Sequence, residues 1–175
     1  MRSPQACCEV APDTVSKPRN IEESTHRDRG GFPSVEAYIR GRLRFSAVEL
    51  CLELGYLFRG IPLDGRPVRY AEMARWCNLH ISYANDAFSF MKERSRGEVS
   101  NLAIVFEQLE GLSPEAALEK TCRYTDQALA MYLSYRPAQE WAGCALMESW
   151  MRGNVDWHAR RTGRYVEGLS FAASA

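Results

Sequence analysis

The stretch Ser82-Tyr-Ala-Asn-Asp-Ala-Phe-Ser-Phe-Met-Lys-Glu93 decides how this chain is read. It closes a run from Val68 to Arg96 that contains neither proline nor glycine, and such a run reads as one long helix. Residues four apart share a helix face, so Asn85, Ser89 and Glu93 form a single polar stripe over two turns. Side chains lean toward the helix N-terminus, so the longer Glu93 reaches back toward the short Ser89 and the amide of Asn85. Three oxygen groups converging on one point suit a hard cation such as Mg²⁺, completed by water and substrate phosphate oxygens. Lys92 lies beside the stripe, within reach of the same phosphate.

An Asn/Ser/Glu trio taken at random is usually a solvated face. Here the flanking Cys77, Leu79, Ile81, Tyr83, Phe88, Phe90 and Met91 make the helix apolar nearly all round, which predicts burial. Buried polar groups need a partner that offsets their desolvation. The stretch Asn85-Asp86-Ala87-Phe88-Ser89-Phe90-Met91-Lys92-Glu93 also resembles the second metal-binding motif of class I terpene synthases, Asn-Asp-x-x-Ser-x-x-x-Glu, with a lysine before the glutamate. Arg96-Gly97-Glu98-Val99-Ser100-Asn101-Leu102 is similar to the continuation of that motif in the family.

Composition bounds the remaining possibilities. The 175 residues suit one domain, and 46% hydrophobic content allows it a sizeable core. Basic and acidic residues balance at 22 each, so charge gives no case for nucleic acid or an anionic membrane as partner. Cysteines stand at 7, 8, 51, 77, 122 and 144 without a Cys-x-x-Cys pair. The last four fall in apolar helical runs, which predicts reduced, buried thiols in a cytoplasmic protein. His26, His80 and His158 lie far apart in sequence and lend zinc little support. No apolar stretch reaches membrane-spanning length, and the N-terminus lacks the apolar core of a signal peptide.

Residues 1–20 mix Ser, Pro, Cys and charge without periodicity and read as a disordered leader. The ordered part spans 21–168, followed by a small apolar tail over 169–175. Ser34 is the expected N-cap of a helix running to about Phe58, before a loop at Gly60 to Pro67. After the long helix comes a shorter one from Ser100 to Leu109. Ser113 with Pro114 marks the next start, and that helix is expected to reach Tyr135. Pro137 opens another to Met151, and Gly153-Asn154 is expected to break or kink the run before Val155 to Thr162. No segment carries a strand period, so the fold class is all-α.

Other residues gain meaning from the resemblance. Arg164 and Tyr165 offer a planar fork of donors and a hydroxyl, and their place after Gly153-Asn154-Val155-Asp156-Trp157 resembles the family's Arg-Tyr motif, which hydrogen-bonds the substrate diphosphate. The family also places a diphosphate-sensing arginine on the preceding helix. Aligning Arg42-Leu43-Arg44-Phe45-Ser46 on that pattern makes Arg42 the sensor, with Arg40 and Arg44 as alternatives. Lys92 joins Arg42, Arg164 and Tyr165 as a diphosphate ligand. The many aromatic side chains suit a cavity that stabilises a cation, yet at helical spacing they read first as core, and none is assigned to the site.

The likeness runs from about Ile21 to Val166 and implies the C-terminal helices of a class I terpenoid synthase bundle. It implies Mg²⁺-dependent ionisation of a prenyl diphosphate, farnesyl diphosphate by default, followed by cyclisation of the carbocation. The family's Asp-rich motif on an earlier helix has no counterpart, since no two aspartates are adjacent anywhere in the chain. The expectation is therefore a half-domain. It either retains the enzyme's residues, or serves without turnover as a helical partner of a second copy or of a missing N-terminal half.

Overall fold

The computed structural model describes residues 26, 28–62, 64, 66–138 and 141–160. The expected leader over 1–20, the pair Arg164 and Tyr165, and the tail over 169–175 lie outside the described residues. Within them six helices follow one another: α1 Val35–Phe45, α2 Val48–Phe58, α3 Tyr70–Ser95, α4 Leu102–Glu110, α5 Pro114–Tyr135 and α6 Ala142–Arg160. No strand occurs among the described residues, and the fold is all-α as the periodicity predicts.

Local chemistry sets most boundaries. Ser34 accepts from Ala37 N at 3.1 Å, and Ser113 accepts from Ala116 N at 3.2 Å with Pro114 in the first turn. Each cap satisfies a helix N–H that has no partner inside its helix. The start expected at Ser100 moves to Leu102, because Asn101 is the residue that caps, accepting from Ala103 N at 2.9 Å.

Three expectations are corrected. The single helix foreseen from Ser34 to Phe58 is broken at Ser46 and Ala47, where Ala47 adopts a left-handed φ of 59°. That conformation is costly for a residue with a Cβ. A tertiary contact holds it: Asn78 on α3 donates to the Leu43 carbonyl at 3.2 Å and accepts from Ser46 Oγ at 2.8 Å. The break foreseen at Gly153-Asn154 does not occur, and no helix starts at Pro137; α6 runs unbroken from Ala142 to Arg160. A mid-helix glycine costs only about 1 kcal/mol, which burial of Met147, Met151 and His158 on the same helix offsets.

Two apolar clusters form the core, and α3 runs through both. One gathers Tyr38 of α1, Tyr83 and Phe90 of α3, and Leu102 to Phe106 of α4. The other gathers Leu52 and Tyr56 of α2, Met73 and Cys77 of α3, Tyr132 of α5 and Met147 of α6. As a result α3 packs against every other described helix.

Burial departs from expectation in places. Phe88 and Met91 are exposed despite their place in the apolar run, and Cys122 is exposed while Cys77 and Cys144 are buried. On α2 the buried face is Val48, Leu52 and Tyr56, whereas Leu50, Leu54, Leu57 and Phe58 form a second apolar stripe facing outward. Leu57 and Phe58 are 72% and 83% exposed, so nothing among the described residues covers that stripe. No described helix is long and apolar enough to cross a membrane.

Candidate metal centre

The polar stripe of α3 meets α1, α4 and α6 at one place. Asn85 and Glu93 line a cavity of ≈ 270 Å³ together with Arg42, Lys92, Arg96, Glu98 and Ser100. Ser89 sits behind them, 2% exposed, its hydroxyl donating to the Asn85 carbonyl at 2.8 Å. Of the three arginines on α1, Arg42 is the one that reaches the stripe. Its Nη2 donates to Asn85 Oδ1 at 3.1 Å and to Asp86 Oδ1 at 2.9 Å, while Arg40 and Arg44 are exposed.

Asp86 anchors this arrangement, and the stripe logic passed over it. It is 1% exposed and accepts from Arg42 Nη2, from the Tyr38 hydroxyl, and from Leu102 N at 3.2 Å. Burial pushes its carboxyl upward, and the guanidinium and the other donors pull it back. Burial, then the negative charge of Asp86, push the Tyr38 hydroxyl well up, so it stays protonated and donating. The clue in the sequence was a charged residue inside an otherwise apolar helix, which demands a cation from elsewhere.

Asn101 is the second residue that the stripe did not reveal. Fully buried at the head of α4, its Nδ2 lies 2.8 Å from the Asp86 carbonyl, 3.0 Å from Glu93 Oε2 and 3.4 Å from Ser89 Oγ. An amide nitrogen has two hydrogens for these three acceptors, so the Ser89 contact is the loosest. Ser89 and Glu93 are thereby drawn to one point, and Glu93 lines the cavity. His158 of α6 is the third, with Nε2 3.3 Å from Asn85 Nδ2.

The donor set is oxygen throughout, with one carboxylate, one amide and one hydroxyl, the chemistry a hard divalent cation prefers over a soft one. Burial first, then the nearby Asp86 charge, raise the Glu93 carboxyl above its ordinary 4.5, against the Asn101 hydrogen bond. A buried carboxylate raised in this way gains from a cation. Among the described residues no three His, Cys, Asp or Glu side chains converge, so a thiolate or imidazole centre is not formed there.

The all-helical fold sets these oxygen-bearing side chains beside an arginine, and sequence comparison gives the family. Residues 20–130 match the model of terpene synthase family 2, C-terminal metal binding. The chain belongs to that family. A bifunctional terpene synthase, Agr4, of Cyclocybe aegerita is 31% identical over 174 residues, spanning 91% of this chain and 48% of its own length. A (+)-T-muurolol synthase of Roseiflexus castenholzii is 25% identical over 160 residues, or 84% and 49% of the two chains. The fold is also that of a linalool/nerolidol synthase from Streptomyces clavuligerus, with a TM-score of 0.68 at 20% identity over 80% of this chain and 54% of the other. This chain thus spans about half the length of the relatives it matches.

Proposed function

We propose that this chain is the diphosphate-gripping half of a terpene synthase that ionises a prenyl diphosphate with Mg²⁺ and cyclises the resulting carbocation, farnesyl diphosphate being the substrate. The observation that carries this reading is one cavity whose lining includes Asn85 and Glu93 together with the cationic Arg42, Lys92 and Arg96. Asn85, Ser89 and Glu93 would hold the ion. When bound, it supplies positive charge to the departing diphosphate. Arg42 and Lys92 donate to the diphosphate oxygens, neutralising the charge that grows as the carbon–oxygen bond breaks, and Arg164 and Tyr165 add donors from beyond α6. The T-muurolol synthase is described as cyclising farnesyl diphosphate, and the linalool/nerolidol synthase has been solved with 2-fluorogeranyl diphosphate. Both support the substrate class.

A second reading, a helical partner without turnover of its own, is favoured by the uncovered Leu50, Leu54, Leu57 and Phe58 stripe. Contiguous exposed apolar surface of this kind marks an interface. One assay separates the two. The chain is incubated with farnesyl diphosphate and Mg²⁺, alone and with a separately produced N-terminal half bearing an Asp-rich helix. Cyclic hydrocarbon or alcohol formed in the combined sample supports the enzyme reading. No product in either sample leaves the partner reading standing.

Acid should weaken ion binding. A raised folded-state pKa means that Glu93 takes up its proton above the ordinary 4.5, and only the carboxylate form ligates. Divalent-ion affinity is therefore expected to fall as pH drops toward that value, with the loss setting in above it. Mn²⁺ titrations at stepwise lower pH check this; an affinity flat down to pH 4.5 would remove Glu93 from the ligand set.

A further inference from the structure

Asn85 is held at both ends. Arg42 Nη2 lies 3.1 Å from one terminal atom of its amide, and a guanidinium only donates, so that atom is the oxygen. The other atom is then Nδ2, a donor, and it faces His158 Nε2 at 3.3 Å. Two donors cannot bond to each other, so for this contact to be a hydrogen bond Nε2 must present its lone pair, which assigns the ring proton to Nδ1. The imidazole has little room to turn: it is 1% exposed, stacked on Phe88 with ring centroids 5.1 Å apart and planes 11° from parallel.

We propose that His158 is a positioning residue for Asn85, locking the amide so that Oδ1 and not Nδ2 is held toward the Arg42 and Glu93 side. This rests on the reading of Asn85 as a metal ligand. Without an acceptor at Nε2 the two amide orientations lose their main distinction on the α6 side. A flipped amide points N–H groups at both a guanidinium and a cation, and binds neither. The contact joins residues 73 apart in sequence, so no local motif announces it. It gives α6 a hold on a ligand carried by α3.

The test uses the whole chain and Mn²⁺ alone, free ion being read by electron paramagnetic resonance. His158→Phe keeps the ring stack and loses the acceptor. His158→Gln sets an amide oxygen where Nε2 stood. Residues that orient metal ligands typically matter 10–100-fold, so His158→Phe should weaken Mn²⁺ about 10-fold while His158→Gln stays within about threefold of the parent. Nitrogen-15 NMR of the parent ring, which needs no variant to fold, should give the Nδ1-protonated tautomer. An Nε2-protonated ring, unchanged affinity in His158→Phe, or equal losses in Phe and Gln overturns the proposal. Glu93→Gln serves as the reference. If it leaves Mn²⁺ binding intact, or the parent binds none, the metal reading itself fails and takes this proposal with it. Binding lost in Glu93→Gln yet untouched in His158→Phe overturns the role of His158 alone.

Discussion

Glu93→Gln is expected to reduce divalent-ion affinity by more than about 100-fold, beyond the range seen for residues that merely orient ligands. It should also abolish the Mg²⁺-dependent turnover of any assembled enzyme. Glu93 is the one anionic member of the proposed ligand set, and its removal leaves an amide and a hydroxyl, neither able to hold a hard dication in competition with water. The fold should not suffer. Gln retains an oxygen for the Asn101 Nδ2 that now lies 3.0 Å from Glu93 Oε2, and burial already disfavours the charged form of the carboxyl it replaces. Thermal unfolding of the ion-free chain should therefore match or slightly exceed that of the parent. A Mn²⁺ titration of both proteins decides the matter: equal affinities would remove the metal assignment.

Asp86→Ala should have the opposite profile, with a large effect on the fold even when no ion is present. The carboxylate is the acceptor for Arg42, for the Tyr38 hydroxyl and for the first N–H of α4, and all three face it in the interior. Deleting it takes the carboxylate from the half-buried Arg42 guanidinium, which keeps, among the described residues, only its Asn85 bond; breaking a buried pair costs about 3–5 kcal/mol. Against a total of about 5–15 kcal/mol that is a large share. At about 2–4 °C per kcal/mol for a chain of this size, Tm should fall by roughly 10 °C. Asp86→Asn, which keeps one acceptor, should lose less. Circular dichroism melts settle this, and a Tm unchanged within about 2 °C would mean that the ion pair does not anchor the helices.

Most of the helices and the shared face of the polar stripe were legible in the chain because their causes are local. Ser113-Pro114 announces a helix start without help from elsewhere, and the four-residue spacing of Asn85, Ser89 and Glu93 fixes their common face. What escaped was tertiary. No glycine or proline at Ser46-Ala47 warns of the break, which depends on Asn78 reaching across from α3. Asp86 sits inside the quoted motif, yet it leaves the helix about 100° away from Asn85, toward α1 rather than along the stripe. Asn101 and His158 become neighbours of the ligands only once α4 and α6 have docked. Phe88 and Met91 misled for the reverse reason: their apolar character implies burial, yet both stay exposed although Phe88 stacks on His158.

Because α3 belongs to both apolar clusters and touches every other described helix, the two halves of the core share one spine. Loosening either cluster slackens the same helix that bears Asn85, Ser89 and Glu93. A bound ion would accordingly act as a clasp on the entire bundle. In the other direction, a change as remote as Tyr56 or Met147 would be felt at the ion as a blurred set of distances.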